Sequence, residues 1–221
     1  MKLRGVQFGD YHTADDWHLI MNKKIVTPPE PKTNYVSVPG RDGDLDLTEA
    51  LSGVVHYQDR TASFTFLLVD GSHADREELI SQIVGVLHGH RMRIVDTADY
   101  PDYYMTGRLA VTNTWNNQAY GGIEIEAVCD PWRYAINSRS KKVTVTPADG
   151  TVSVVLTNGG YKTITPSITV TGSVTLTYGT TSTTLAAGSY TLPSLRLSHG
   201  LNTLTVAGSG SVQFTYTEAI L

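Results

Sequence analysis

Three groups of side chains are spaced as if for chemistry. Asp42, Asp44 and Asp46 alternate through Asp42-Gly43-Asp44-Leu45-Asp46, like the opening of a calcium loop. An EF-hand needs glycine at its sixth position and glutamate at its twelfth. Counted from Asp42, those positions hold Leu47 and Gly53, so the match fails and the acids read as an exposed turn or strand. His88-Gly89-His90 offers two imidazoles, but no third ligand clusters with them in sequence. Histidines at a helix end ordinarily complement its dipole. Asp96, Asp99 and Asp102 stand among Tyr100, Pro101, Tyr103 and Tyr104. Paired carboxylates held ~5–9 Å apart can hydrolyse glycosides, and tyrosines suit a sugar site. The same YPDYY run is also an ordinary proline-bearing turn, with Tyr103 and Tyr104 covering a surface or interface, and that reading is favoured.

Two single residues invite the same question. Arg60 follows Asp59 and precedes a strand with a buried pattern. A guanidinium fork there can clamp carboxylates or backbone carbonyls, and a structural or intersubunit clamp is favoured over substrate binding. Its replacement by alanine is expected to damage assembly or solubility. Cys129 alternates with apolar residues and reads as a small buried hydrophobe, not a nucleophile. No Gly-x-Ser-x-Gly, P-loop or dinucleotide fingerprint occurs. The residues therefore call for no catalytic group, no metal and no cofactor, and the chain is not read as an enzyme.

The elements that must position these residues are mostly strands. Met1 to Phe8 predicts a short strand. Thr27 to Pro31, TPPEP, must be extended, because proline fixes φ and lacks a donor; it suits a surface or an edge. Pro39-Gly40-Arg41-Asp42-Gly43 predicts a turn. Ala62 to Val69 alternates, with Phe64, Phe66 and Leu68 on one face. Leu79, Ile80, Ile83, Val84 and Leu87 form an apolar stripe at helical spacing. Ser72 or Asp75 can cap that helix, Asp75, Glu77 and Glu78 suit its positive end, and Gly89 suits its stop. Gly85 inside it costs about 1 kcal/mol relative to alanine, which points to a close neighbour. Arg91 to Asp96 predicts a strand. Gly107 to Trp115 and Gly121 to Cys129 predict a hairpin joined by the polar loop Asn116 to Tyr120.

Composition sets the outer bounds. The 221 residues suit one large or two modest domains. The net charge of -4 gives no blanket attraction for nucleic acid or anionic lipid. No run approaches the ~18 apolar residues of a membrane helix, and the N-terminus has no apolar signal region. A single cysteine excludes an intramolecular disulfide and fits synthesis in a reducing cytoplasm. From Val143 onward the only charged residues are Asp149, Lys162, Arg196 and Glu218. That shift predicts a boundary near residue 140, dividing 1–140 from 141–221. Beyond it the pattern is all strands and no helix. Pairs such as Ile168/Val170, Val174/Leu176, Leu195/Leu197, Leu204/Val206 and Val212/Phe214 recur at sandwich spacing. Gly172, Gly179, Gly188, Gly200 and Gly208-Ser209-Gly210 punctuate them. Trp17, Trp115 and Trp132 all precede the boundary, so a sugar platform there would rest on Tyr161, Tyr178, Tyr190, Arg196, His199 and Asn202.

Several segments together resemble the distal tail protein (Dit) family of long-tailed bacteriophages. They are FGDYHTADDWHL, TPPEPKTNYVSVPGRDGDLDL, VHYQDRTASFTF, the helix, RIVDTADYPDYYMTGRL and IEIEAVCDPWRYAI, in that order across the first domain. The second domain is similar to the family's C-terminal sandwich in NGGYKTITPSITVTG and LSHGLNTLTVAGSGSVQFTYTEAIL. The resemblance implies a mainly β protein: a β-rich belt domain with one helix over 1–140, then a galectin-like β-sandwich over 141–221. It implies a siphovirus baseplate hub whose first domain assembles as a hexameric ring in the virion's tail tip. The ring continues the tail tube and leaves a channel for DNA, which passes without specific binding. The implied partners are the tail tube protein, the tail-tip protein or tail-associated lysin, and receptor-binding proteins, with no membrane.

The residue pattern agrees with such a ring. One helix on a small β domain buries limited area alone. Edge strands and the TPPEP arm can be completed by a neighbour, and a repeated head-to-tail contact closes into a ring. An obligate contact should bury well over ~1,000 Å². Candidate assembly residues are Pro39, Gly40, Asp42, Gly43, Arg60, Tyr103, Tyr104, Pro131 and Trp132. The alternatives are a carbohydrate-binding adhesion component acting through residues 143–221, and a glycan hydrolase using Asp96, Asp99 or Asp102.

Overall fold

A computed structural model describes residues 4–221, so the start of the expected first strand, at 1–3, lies outside the described residues. The chain forms two compact units, one ending at Arg133 and taking in Leu221, the other running Tyr134–Ile220. The first contains β1 (Val6–Phe8), β2 (Tyr11–His12), β3 (Ile20–Val26), β4 (Tyr35–Val36), β5 (Leu45–Asp46), β6 (Arg60–Leu68), α1 (His73–Leu87), β7 (Arg91–Asp96), β8 (Tyr103–Asn116) and β9 (Gly121–Cys129). Seven of these strands form one antiparallel sheet in the order β2-β1-β7-β8-β9-β6-β3. Residues of one parity face the core: Ala62, Phe64, Phe66 and Leu68 on β6, and Ile123, Ile125, Ala127 and Cys129 on β9. Their partners match across the ladder, with Phe64 opposite Ile125 and Phe66 opposite Ile123.

The sheet curls. Phe8 on β1 and Phe64 on β6 are four ladder steps apart, or ~19 Å if the sheet were flat. Their ring centroids are 5.6 Å apart in an edge-to-face contact. Lys24 on β3, at one margin, likewise reaches Asp96 on β7, four ladder steps away, and Asp99 just beyond it. The outer edge of β3 pairs with no strand among the described residues. It carries a bulge between Met21 and Lys23 and two lysines, devices that discourage casual strand addition.

Helix α1 follows the sequence closely. Ser72 is its N-cap: Ser72 Oγ accepts from Asp75 N at 3.3 Å, and Asp75 Oδ2 accepts from Ser72 N at 2.8 Å. This is a reciprocal capping box. Ile80, Ile83 and Leu87 are buried in the core of the unit. His88 is the C-cap, and Gly89 takes the left-handed φ of 82° that ends the helix. The expectation for Gly85 is corrected. A Cβ there would meet nothing within 4 Å, so no neighbour requires the gap.

After β10 (Arg133–Ala135), the second unit contains β11 (Arg139–Val145), a 3-10 turn at Pro147–Asp149, β12 (Thr151–Asn158), β13 (Ser167–Tyr178), β14 (Thr181–Leu185), β15 (Gly188–Thr191), β16 (Gly200–Tyr216) and β17 (Ala219–Ile220). The short 3-10 turn departs from the all-strand expectation. A larger correction concerns the glycines. Gly172 and Gly208-Ser209-Gly210 do not separate strands. They sit within β13 and β16, which pair from Ser167↔Thr215 to Thr177↔Thr205 without interruption. Both strands bend where these glycines face each other. A Cβ on Gly210 would lie 1.8 Å from Thr171 O, and one on Gly172 2.2 Å from Ser209 O.

The bend turns one sheet into two layers. On one side of it, β16 pairs with β11 and β13 pairs with β15; on the other, β16 pairs with β12 and β13 with β14. Inward residues from both halves, including Ile168, Val170, Val212 and Phe214 with Val174, Leu176, Leu204 and Val206, merge into one core. Strands that switch layers through bends are the corner device of β-sandwiches. Leu195 and Leu197 are buried as expected, but they form no strand: the only pairing there is the isolated bridge Ile164↔Leu197.

Candidate functional site

Within the first unit, residues 27–59 form an arm that adds no strand to the large sheet. Prolines at 28, 29 and 31 keep its start extended, and Pro31↔Tyr57 forms an isolated bridge at its root. Lys32 N donates to His56 O and Gln58 N to Glu30 O, so the two legs run side by side. Beyond them β4 and β5 make a minimal hairpin, Tyr35↔Asp46 and Val36↔Leu45. The turn between these strands contains Pro39, Gly40, Asp42 and Gly43, all exposed, with φ of 83° at Gly40 and 74° at Gly43. Only glycine adopts such angles freely. Asp46 Oδ1 accepts from Thr48 N, which together with the Thr48 side chain holds its carboxyl below the usual range. No group of three or more histidine, cysteine or acidic side chains converges among the described residues.

The arm contributes nothing to the buried core of its own unit. Tyr35, Val36, Val38 and Leu51 are exposed on it, Leu51 completely at 102%. Scattered apolar residues on a surface are normal, but a cluster on a segment with no core of its own marks a contact site.

Below the arm's root the first unit gathers arginines and aromatic rings. Tyr57 meets Trp132 edge to face at 5.5 Å. The Arg133 guanidinium lies 4.4 Å over the Tyr100 ring, and that of Arg93 4.5 Å over Tyr104. Arg91 Nη2 donates to both oxygens of Asp130 at 2.7 Å. Tyr103 and Tyr104 open β8 and are half-buried, as are Pro131 and Trp132. Arg60 is buried opposite Cys129. Burial pushes the Cys129 thiol up to about 11, which removes it as a nucleophile near neutral pH. Gly107 leaves room for this sulfur, since a Cβ there would lie 2.5 Å from it.

Two of the three acids considered for glycoside hydrolysis, Asp96 and Asp99, are engaged otherwise, and Asp102 is exposed in the turn before β8. Lys24 Nζ donates to both Asp96 and Asp99, and Asp96 Oδ1 accepts from Ala98 N and Asp99 N. The hydrogen bond and charge of Lys24 hold the Asp99 carboxyl below the usual range. A proton donor needs a raised carboxyl pKa, so this arrangement suits an ion bridge and not general acid chemistry. His88 Nδ1 accepts from Val111 N at 3.1 Å, so its ring joins the helix end to β8.

In the second unit most of the suspected sugar residues hold loops. The Tyr178 hydroxyl lies 3.0 Å from Arg196 O and 3.2 Å from Asn202 Oδ1, and the Tyr190 hydroxyl donates to Ala186 O. Asn202 is buried, accepting from Ser198 N and donating to Ser198 O. Only Tyr161 and His199 remain as an exposed pair, stacked at 4.7 Å, with Tyr161 68% exposed.

No protein-family model matches the chain, and no curated protein does. Among solved structures, the chain matches that of SPP1 Dit (gp 19.1), described as a paradigm of the hub adsorption apparatus in phages that infect Gram-positive bacteria. The TM-score is 0.74 over 100% of both chains, at 16% sequence identity. The chain has the Dit fold.

Within this Dit fold, several polar residues matter that sequence reading passed over. Arg76 is buried on the core side of α1, and Asn158 is fully buried. Asn158 donates to Lys162 O and Leu197 O and accepts from Gly160 N. Glu218 accepts from Gly159 N at 2.5 Å and pairs with Arg139 at 2.6 Å. The only sequence signal for them is a polar residue standing in an apolar phase. The likeness to SPP1 Dit reaches both units, including the arm, although the residues that build the two proteins are mostly different.

Proposed function

We propose that the protein is a structural hub of a siphovirus tail tip. Its first unit closes into a hexameric ring, continues the tail tube and leaves a channel through which DNA passes unbound. The second unit, a galectin-like sandwich, meets receptor-binding proteins, while the two faces of the ring meet the tube protein and the tail-tip protein or lysin. It is assembled in the host cytoplasm, carried in the virion, and catalyses nothing.

The full-length match to a phage hub protein carries this reading. The arm supports it physically. A hairpin that buries no core residue of its own unit gains stability only when another surface covers Tyr35, Val36, Val38 and Leu51. A second copy does this with one heterologous contact repeated around an axis. Pro39, Gly40, Asp42 and Gly43 then shape the contact, with Arg60, Tyr103, Tyr104, Pro131 and Trp132 at the base of the arm.

Native mass measurement and electron microscopy test this, on the protein alone and with its tail-tip partner. A closed ring is expected, and it is lost when residues 34–55 are replaced by a short Gly-Ser linker while both units stay folded. A chain that remains monomeric under every one of these conditions refutes the hub. A second reading, glycan binding, rests on the exposed Tyr161–His199 pair. A glycan array on the full chain, with Tyr161→Ala as control, decides it.

A further inference from the structure

Arg60 opens β6 with its side chain on the core face, where it is only 3% exposed. Its Nε and Nη1 are the only buried side-chain nitrogen or oxygen atoms among the described residues that have no hydrogen-bond partner. The contrast with Arg76, equally buried, is direct. Arg76 donates to Asn116 Oδ1, Gly71 O, Asn117 O and Gln118 O. Buried polar groups in native proteins are satisfied by protein, water or a ligand, and a buried cation without a partner is costly.

The surroundings of Arg60 deepen the deficit. A second guanidinium, that of Arg133, is near enough for its charge to act on Arg60, and Arg133 is itself buried. Burial first, and the Arg133 charge second, lower the Arg60 pKa to about 10. The neighbouring Asp130 carboxylate is held by Arg91 in a two-oxygen contact at 2.7 Å. Tyr100 offers a ring face to Arg133, not an acceptor oxygen. Two cations thus share one corner of the unit, and among the described residues no carboxylate is bonded to either.

We propose that Arg60 and Arg133 form a binding site for a single oxyanion, a carboxylate or a phosphate group. A planar guanidinium presents parallel N–H donors that match two oxygens of such a group, and two guanidinium groups facing one anion supply charge as well as geometry. Entry requires Arg133 to turn off the Tyr100 ring, whose exposed face holds a cation only weakly. The anion then accepts from the orphaned Nε of Arg60 and from Nη2 beside it, the two donors that point the same way. It can come from solution, or from an acidic side chain of a second copy. Asp42 and Asp44 at the arm's tip are exposed and make no hydrogen bond or ion pair among the described residues. The site stands whether or not the chain forms a ring.

The test uses the full chain. Chloride is replaced by inorganic phosphate at constant ionic strength while the melting temperature is followed. A saturable rise is expected in the parent protein, no rise in Arg60→Met, and at least tenfold weaker binding in Arg133→Gln. Arg60→Met is also expected to melt no lower than the parent without phosphate, because it removes an unpaired buried charge. A labelled peptide of residues 38–47, and its Asp42→Asn/Asp44→Asn form, identifies the source. Peptide binding that needs both aspartates and Arg60, and that phosphate displaces, assigns the site to a second copy's carboxylate. A phosphate response without peptide binding assigns it to a free anion. No saturable response in the parent, or an equal response in Arg60→Met and Arg133→Gln, overturns the proposal.

Discussion

Replacing Arg76 by methionine isolates a single tie between helix and hairpin. Methionine keeps most of the aliphatic stem and removes the guanidinium. Four hydrogen bonds go with it: Nε to Asn116 Oδ1 at 3.0 Å, Nη1 to Gly71 O at 2.7 Å, and Nη2 to Asn117 O at 2.7 Å and Gln118 O at 3.3 Å. A bond from a charged donor contributes about 1.5–3 kcal/mol, but the four do not add. Gly71, Asn117 and Gln118 are exposed residues whose carbonyls can take up water. Removing a buried cation near the positive end of a helix also returns some energy. The net loss expected is about 2–4 kcal/mol, which for a chain of this size is a fall of about 5–15 °C in melting temperature. Arg76→Lys should recover less than half, since an ammonium cannot reach three carbonyl directions from one rigid fork. Thermal melts by near-ultraviolet circular dichroism, with limited proteolysis in the 116–120 loop, provide the readout. A fall under about 2 °C, or full recovery by lysine, refutes the claim that this fork fixes the hairpin to α1.

Gly85→Ala should stabilise the first unit by about 1 kcal/mol, because the site is open and only helix propensity changes; a urea melt showing destabilisation would count against it. Gly210→Ala should cost about 3 kcal/mol or more, through the approach to Thr171 O and a φ of 147°, and is checked by loss of the tyrosine near-ultraviolet signal. Asp99→Asn tests the Lys24 bridge through pH. The Asp99 carboxyl is lowered by the hydrogen bond and charge of Lys24, so its contribution is present above the unfolded value near ~4 and is lost as pH falls through the lower folded value. The stability gap between parent and variant should therefore shrink from pH 6 to pH 2 in denaturant titrations. For Lys24, burial pulls the pKa down, but the bonds and charges of Asp96 and Asp99 outweigh it and raise it above 10.5. Its contribution is lost only as pH rises beyond that.

Local signals were readable where local physics decides. The helix announced itself through Ser72, Asp75, the Ile80–Leu87 stripe and Gly89. The β8–β9 hairpin was legible in its alternation and in its loop at 116–120. The β6 core face was legible in Phe64 and Phe66. What escaped depends on partners distant in sequence. Gly172 and Gly210 look like turn residues until each is seen to make room for the other's strand. Arg76 looks like a surface arginine in a first turn until the 116–118 segment arrives with its acceptors. Leu195 and Leu197 carry a strand's alternation but have only one bridge to use it on. At the candidate site, the arm was visible in TPPEP and the glycine turn. The arginine at its base was visible as a residue, but its missing partners were not, because an unsatisfied donor is a property of three-dimensional surroundings.

Two uninterrupted strands, β13 and β16, each serve both layers of the second unit, so those layers are joined by covalent main chain as well as by packed side chains. A pull applied along either strand is therefore borne across the corner by peptide bonds, and peeling one layer away means unzipping the other. Such a module should yield to force in one abrupt step.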